Sequence, residues 1–145
     1  MERVGRAERE TVEAVNRVHL TQLAVGDRTS IQGFEIEAGA TVPEHSHRHE
    51  QTGFVYTGEL TFLVDGETIP VGVGTSFTIP GGEPHAAENR GEGPVRGVDV
   101  FAPPRPDPDW AECGWIGGRT SAASPGSRAC WPGVRPARVA GPHRP

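Results

Sequence analysis

With 145 residues, 34% of them hydrophobic, and a mean hydropathy of −0.46, the chain has room for one domain around one modest core. No run of about 18 apolar residues occurs, which excludes a transmembrane helix. The formal charge of −5 is uneven: all 19 acidic residues lie at or before Glu112 alongside nine arginines, giving 9 − 19 = −10 there, and the rest carries five arginines and no acid. An acidic body argues against a nucleic-acid surface, and the Arg-bearing tail is read as solvated.

The N-terminal segment, 1–18, is charged and lacks the apolar stretch of a signal peptide, so the cytoplasm is the expected compartment. Val12, Val15 and Val18 recur every three residues, which predicts one short amphipathic helix. From His19 the pattern turns β-like. Strands are predicted at 19–24, 29–37, 52–57 and 59–64, with Phe34 and Ile36 sharing one face of the second. Asp65-Gly66 offers a tight hairpin turn leading into a strand at 67–71. Strands at 75–79, 85–89 and 95–101 complete the series, with Pro80-Gly81-Gly82 as a sharp reversal. Short strands joined by Gly-rich turns, with little helix, indicate an all-β barrel or sandwich. The barrel is expected to span 19–110. Beyond Phe101 the prolines of Ala-Pro-Pro-Arg-Pro-Asp-Pro-Asp cannot continue a ladder. The tail, 111–145, is rich in Gly, Pro, Ser, Ala and Arg and is expected to be disordered or loosely docked, with Trp110 or Trp115 offering the contact to the barrel wall. Cys113 and Cys130 fall in no metal-binding spacing, and a disulfide between them is not expected in a reducing compartment.

The chemistry concentrates around Gly39-Ala-Thr-Val-Pro-Glu-His45-Ser-His47-Arg-His-Glu-Gln51. In a β-strand, side chains two apart point to one face, so His45 and His47 would project together and share one ion. Gln51, past a short bend, would add an amide oxygen; Glu50 is the alternative ligand if the bend is shorter. Such a set suits Zn, Fe, Ni, Cu or Mn. The plainer reading is a solvated His-rich loop. His49 is read as exposed, or else as orienting a ligand.

A second stretch, Gly74 to Asn89, carries His85 after the Pro-Gly-Gly turn. Together the two stretches resemble the cupin family. Gly39, His45, His47, Gln51 and Gly58 fill its first motif, with Gln51 where Glu is usual; Gly74, Pro80, Gly82, His85 and Asn89 fill every position of its second. The resemblance spans roughly residues 20–105 and implies a single-domain jelly-roll β-barrel with one divalent transition metal (Zn, Ni, Fe or Mn) on His45, His47, Gln51 and His85. It also implies a homodimer. A ligand set with no carboxylate leaves more positive charge on the ion, hence a stronger Lewis acid.

The last predicted strand adds to this. Asp99 shares a face with Phe101, an arrangement odd for a packed core but normal for a ligand cavity, and Arg105 follows near the rim. Outward-facing, solvated positions are the alternative for Asp99 and Arg105. Asp99-x-Phe101-x-x-x-Arg105 resembles the end of the site in small cupins that open unsaturated uronate rings. By that resemblance Asp99 moves a proton, Phe101 walls the substrate, and Arg105 clamps its carboxylate, a pairing suited to the guanidinium fork. The expected function is a non-redox metal enzyme acting on a small carboxylated sugar or keto acid. The alternatives are a metal-dependent dioxygenase and a non-catalytic metal- or sugar-binding sensor, because this fold hosts many chemistries.

Overall fold

The computed structural model describes residues 1–106. Ten strands follow a short 3-10 turn at Arg6–Glu8: β1 Thr11–Val15, β2 Val18–Val25, β3 Ser30–Ile36, β4 Thr41–His45, β5 Glu50–Thr57, β6 Leu60–Val64, β7 Glu67–Val71, β8 Ser76–Ile79, β9 His85–Glu88 and β10 Val95–Ala102. They form a six-stranded sheet in the order β1-β2-β3-β10-β5-β8 and a four-stranded sheet in the order β4-β9-β6-β7. All strand pairings in the two sheets are antiparallel. The two sheets face one another as the jelly roll expected from the sequence. Among the described residues no helix is long and apolar enough to cross a membrane. The tail, with Trp110, Trp115, Trp131, Cys113 and Cys130, lies outside the described residues.

The core sits between the sheets and is built by period-2 alternation. In β10, Val95, Gly97, Asp99 and Phe101 are buried while the residues between them are half-buried. In β3, Phe34 and Ile36 point inward as predicted, each about 3% exposed. They meet Val18 and Leu20 of β2 and Val55 of β5 in one apolar cluster. Gly97 serves packing here: a Cβ at that position would run into the Phe34 ring and the Phe54 carbonyl.

One expectation fails. The helix inferred from Val12, Val15 and Val18 is a hairpin, with Val12 opposite Leu20, Glu13 opposite His19 and Val15 opposite Val18. β-branched valines fit a pleated, half-buried surface better than a helix. The turn is closed by Arg17, whose φ of 63° lies in the left-handed region. The Arg17 N–H donates to Glu13 Oε1 at 2.7 Å, and the Arg17 carbonyl accepts from the Glu37 N–H at 3.0 Å. The six-stranded sheet therefore begins at Thr11. By contrast the Asp65-Gly66 turn is as predicted, both residues having positive φ (50° and 76°), the signature of a two-residue hairpin loop.

The connections between the sheets are pinned by Asn89, which is 2% exposed. Its Nδ2 donates to the Ile36 carbonyl at 2.9 Å and the Gly93 carbonyl at 2.8 Å, and its Oδ1 accepts from the Gly91 N–H at 3.0 Å. The motif asparagine thus holds the loop after β9 to the end of β3.

Candidate metal centre

Three imidazoles converge at the end of the barrel where β10 finishes. His45 closes β4 and stands directly opposite His85, the first residue of β9. His47 lies beyond the end of β4, in the bend leading to β5. It does not share a strand face with His45, as the two-residue spacing had predicted; the bend swings its ring back toward the other two. Ring centroids are 4.3 Å apart for His45–His85, 5.2 Å for His47–His85 and 5.7 Å for His45–His47. One ligand nitrogen from each lies within 4.8 Å of the other two.

The hydrogen bonds fix which nitrogens these are. His45 Nδ1 donates to the Pro43 carbonyl at 2.8 Å, His47 Nδ1 to the His49 carbonyl at 2.9 Å, and His85 Nδ1 to the Glu83 carbonyl at 2.8 Å. A carbonyl only accepts, so in each ring the proton sits on Nδ1 and Nε2 carries the lone pair. Backbone carbonyls orienting the far nitrogen are the usual support of metal-binding imidazoles.

Two observations test whether a cation fits. His85 Nε2 is buried with no hydrogen-bond partner, and a buried acceptor left unmatched is costly. Gln51 Oε1 lies 3.1 Å from His47 Nε2, so with Nδ1 protonated two lone-pair atoms face one another. A divalent cation satisfies both at once. Burial pushes the His45 imidazole down to about 4 and lowers those of His47 and His85, which holds all three rings neutral, the form that ligates. The residues fit the metal. Glu50, the alternative ligand, is exposed, because β5 alternation turns Gln51 inward and Glu50 outward.

Gln51 also looks the other way. Its Nε2 donates to Asp99 Oδ1 at 3.0 Å, and Gln32 Nε2 donates to Asp99 Oδ2 at 3.3 Å. Asp99 is only 6% exposed. Burial raises its carboxyl to about 7, against the lowering pull of the two amides and Arg105. The expected inward placement of Asp99 and Phe101 is what the strand shows. Arg105 is half-buried, its backbone N–H donating to Ser30 Oγ at 2.8 Å and its guanidinium carbon 5.1 Å from the Phe101 ring centroid. All of these side chains line one cavity of about 60 Å³.

Gln32 escaped the sequence reading, and His49 departs from the first of its two readings while its carbonyl orients His47, as the second had it. Gln32 was detectable by the same signal as Asp99, a polar residue alternating with Phe34 and Ile36 on an inward face. His49, expected to be exposed, is half-buried, with its ring centroid 5.9 Å from that of His47 and 6.2 Å from Phe101, and Nδ1 buried without a partner. The cause is the bend that carries His47 inward. A second grouping, Glu13, His19 and Glu37, also brings ligand atoms within 4.8 Å. A cation already serves it: Arg17 Nε lies 3.7 Å from Glu37, and His19 Nε2 is 2.8 Å from the same carboxylate.

Comparison with known proteins agrees with this geometry. The cupin domain family (Cupin_2) matches residues 33–101. The chain is 34% identical over 67 residues to an H2HPP isomerase of Bacillus subtilis, covering 46% of this chain but only 28% of that protein. Thus the match spans just over a quarter of the curated relative. Among solved structures, KdgF from Halomonas sp. superposes with a TM-score of 0.67 at 22% identity, covering 74% of this chain and 97% of that one. The polyketide cyclase RemF from Streptomyces resistomycificus gives a TM-score of 0.65 at 26% identity, covering 73% and 82%.

Proposed function

Because residues 33–101 are a cupin domain, we propose that this chain is a non-redox metal enzyme that shifts a proton on a small carboxylated substrate, a sugar acid or a keto acid. One observation carries the reading. Asp99 is a buried carboxyl joined through Gln51 to the imidazole cluster, with an arginine at the same cavity. A structural carboxylate has no reason to lie in that layer, since burying it is costly unless its task needs the site.

The roles follow from placement. His45, His47, His85 and Gln51 hold a divalent cation, whose chemistry when bound is Lewis acidity toward a substrate oxygen. Arg105 pairs with the substrate carboxylate, its fork held over the Phe101 ring. Phe101 supplies an apolar wall that keeps water from that side. Asp99 takes a proton from the substrate carbon and returns it at a neighbouring position, while Gln51 and Gln32 hold its two oxygens at fixed orientation. Ring opening of an unsaturated uronate is the sugar-acid form of this chemistry, supported by the match of Asp99, Phe101 and Arg105 to the pattern quoted above.

The test separates binding from proton transfer. Asp99→Asn is expected to keep its metal, measured by elemental analysis of protein purified without a His-tag, and to lose about 10²–10⁴-fold in turnover. His85→Ala is expected to lose metal and turnover together. An Asp99→Asn variant with full turnover would remove the proton role. Substrate-dependent oxygen uptake would replace the reading with an oxygenase.

A further inference from the structure

The strand register sorts the cavity walls into rows along the barrel axis. In the six-stranded sheet one row runs Ser30–Phe101–Gln51 and the next Gln32–Asp99–Gly53. One row deeper the residues are Leu20, Phe34, Gly97 and Val55, and beyond them Val18, Ile36 and Val95. The four-stranded sheet changes in step: His45 faces His85, and the neighbouring row is Val42, Ala87 and Phe62. Polar groups therefore stop abruptly. Below Asp99 the cavity is closed by Leu20, Phe34, Val42, Leu60, Phe62 and Ala87.

Two properties of this floor select among carboxylates. It offers no side-chain hydrogen-bonding group, so a sugar hydroxyl placed against it would lose its water and gain no partner. It is also small. The whole cavity, polar mouth and floor together, is about 60 Å³, whereas a cavity of about 150 Å³ is what holds a benzene ring. A pyranose or aryl ring is too large for the enclosed part, and a branched alkyl group is not.

Resting on the proposed function and narrowing it, we infer that the substrate is a short 2-oxo acid with a small branched hydrocarbon side chain. Its carboxylate lies at Arg105, its carbonyl oxygen at the imidazole cluster, and its alkyl group on the Leu20–Phe34–Phe62 floor. The corresponding step is enolisation. Asp99 takes the C3 proton, the C3–H electron pair becomes the C2–C3 double bond, and the carbonyl π pair moves onto the C2 oxygen. Return of a proton to carbon restores the acid, so in D₂O the C3 hydrogen exchanges with no net reaction.

The probe is 2-oxoisovalerate, compared with pyruvate and glucuronate on the full chain loaded with Zn²⁺ or Mn²⁺. Calorimetric titration is expected to show 2-oxoisovalerate binding about tenfold or more tighter than glucuronate. Proton NMR in D₂O is expected to show its C3–H signal lost faster than without protein. Ala87→Val, which adds methyl groups to the floor between Val42 and Phe62, is expected to weaken 2-oxoisovalerate about tenfold, to weaken pyruvate less, and to leave metal content unchanged. Val42→Ala, which deepens the floor, is expected to favour 2-oxoisocaproate over 2-oxoisovalerate, and serves if Ala87→Val fails to fold. Glucuronate binding as tightly as the oxo acid, or Ala87→Val weakening pyruvate and 2-oxoisovalerate equally, would overturn the inference and leave the broader metal-enzyme reading standing. A wild-type chain that takes up neither metal nor any of the three acids would overturn both.

Discussion

Gln51 is the residue on which the site turns. Where a glutamate would bring a second carboxylate beside Asp99, the amide gives an oxygen to the imidazole side and an N–H to the carboxyl side. Gln51→Ala is thus expected to lower metal affinity by about 10–100-fold and to loosen Asp99 as well, whereas Gln32→Ala, which removes a hydrogen bond to Asp99, is expected to leave metal affinity unchanged and lower turnover. Competition with a chromogenic chelator separates the two variants. Away from the cavity, Glu37 governs a different property. The hydrogen bond from His19, helped by Arg17, holds its carboxyl below the ordinary value of 4.5 despite the opposing effect of burial. A depressed folded pKa contributes stability that is present above the unfolded value and lost as pH falls through the folded one. Glu37→Gln is expected to flatten the acid side of a stability-versus-pH curve below about pH 4.5, measured by urea titration at several pH values.

Among the elements, β10 is held between β3 and β5 and carries Gly97 beneath the Phe34 ring. Gly97→Ala is expected to destabilise by about 1–3 kcal/mol through overpacking, read from the denaturant midpoint. Gly66→Ala makes the contrast. Nothing lies near its Cβ position, but φ is 76°, so the expected cost is about 1–2 kcal/mol of left-handed backbone alone. From β2 to β10 every strand but β4 was legible, because alternation and Gly-bearing turns are local signals, and the three clustered imidazoles were legible through the motifs that carry them. What was not legible depended on pairing. Three valines at a spacing of three satisfy a helix until a partner strand is known, and His49 reads as surface until the bend that carries His47 inward is known. Gln32 carried a local signal in its alternation with Phe34 and Ile36, but its bond to Asp99 spans 67 residues and is visible only in the fold.

At the scale of the whole molecule, the imidazole cluster joins the two sheets. His45 and His85 belong to the four-stranded sheet and Gln51 to the six-stranded one. A cation bound to all of them fastens the sandwich at its open end. At a free metal concentration about 100 times Kd, the folded state gains about 2.7 kcal/mol by mass action. For a domain of this size that corresponds to a rise in Tm of roughly 10 °C or more, reversed by a chelator. Calorimetry with and without metal checks it, and a Tm indifferent to every divalent ion would count against the site.

The position of β10 also bears on how the protein is made. It is the last strand among the described residues, yet it lies inside the six-stranded sheet, with β3 on one side and β5 on the other. A nascent chain emerging from the ribosome must keep the inner edges of β3 and β5 unpaired until nearly everything through Ala102 has been synthesised. Non-local closure of this kind slows folding and leaves strand edges open to aggregation in the meantime. Translation arrested before Val95 would yield neither a sealed barrel nor Asp99, so the proton-transfer group arrives with the strand that completes the fold.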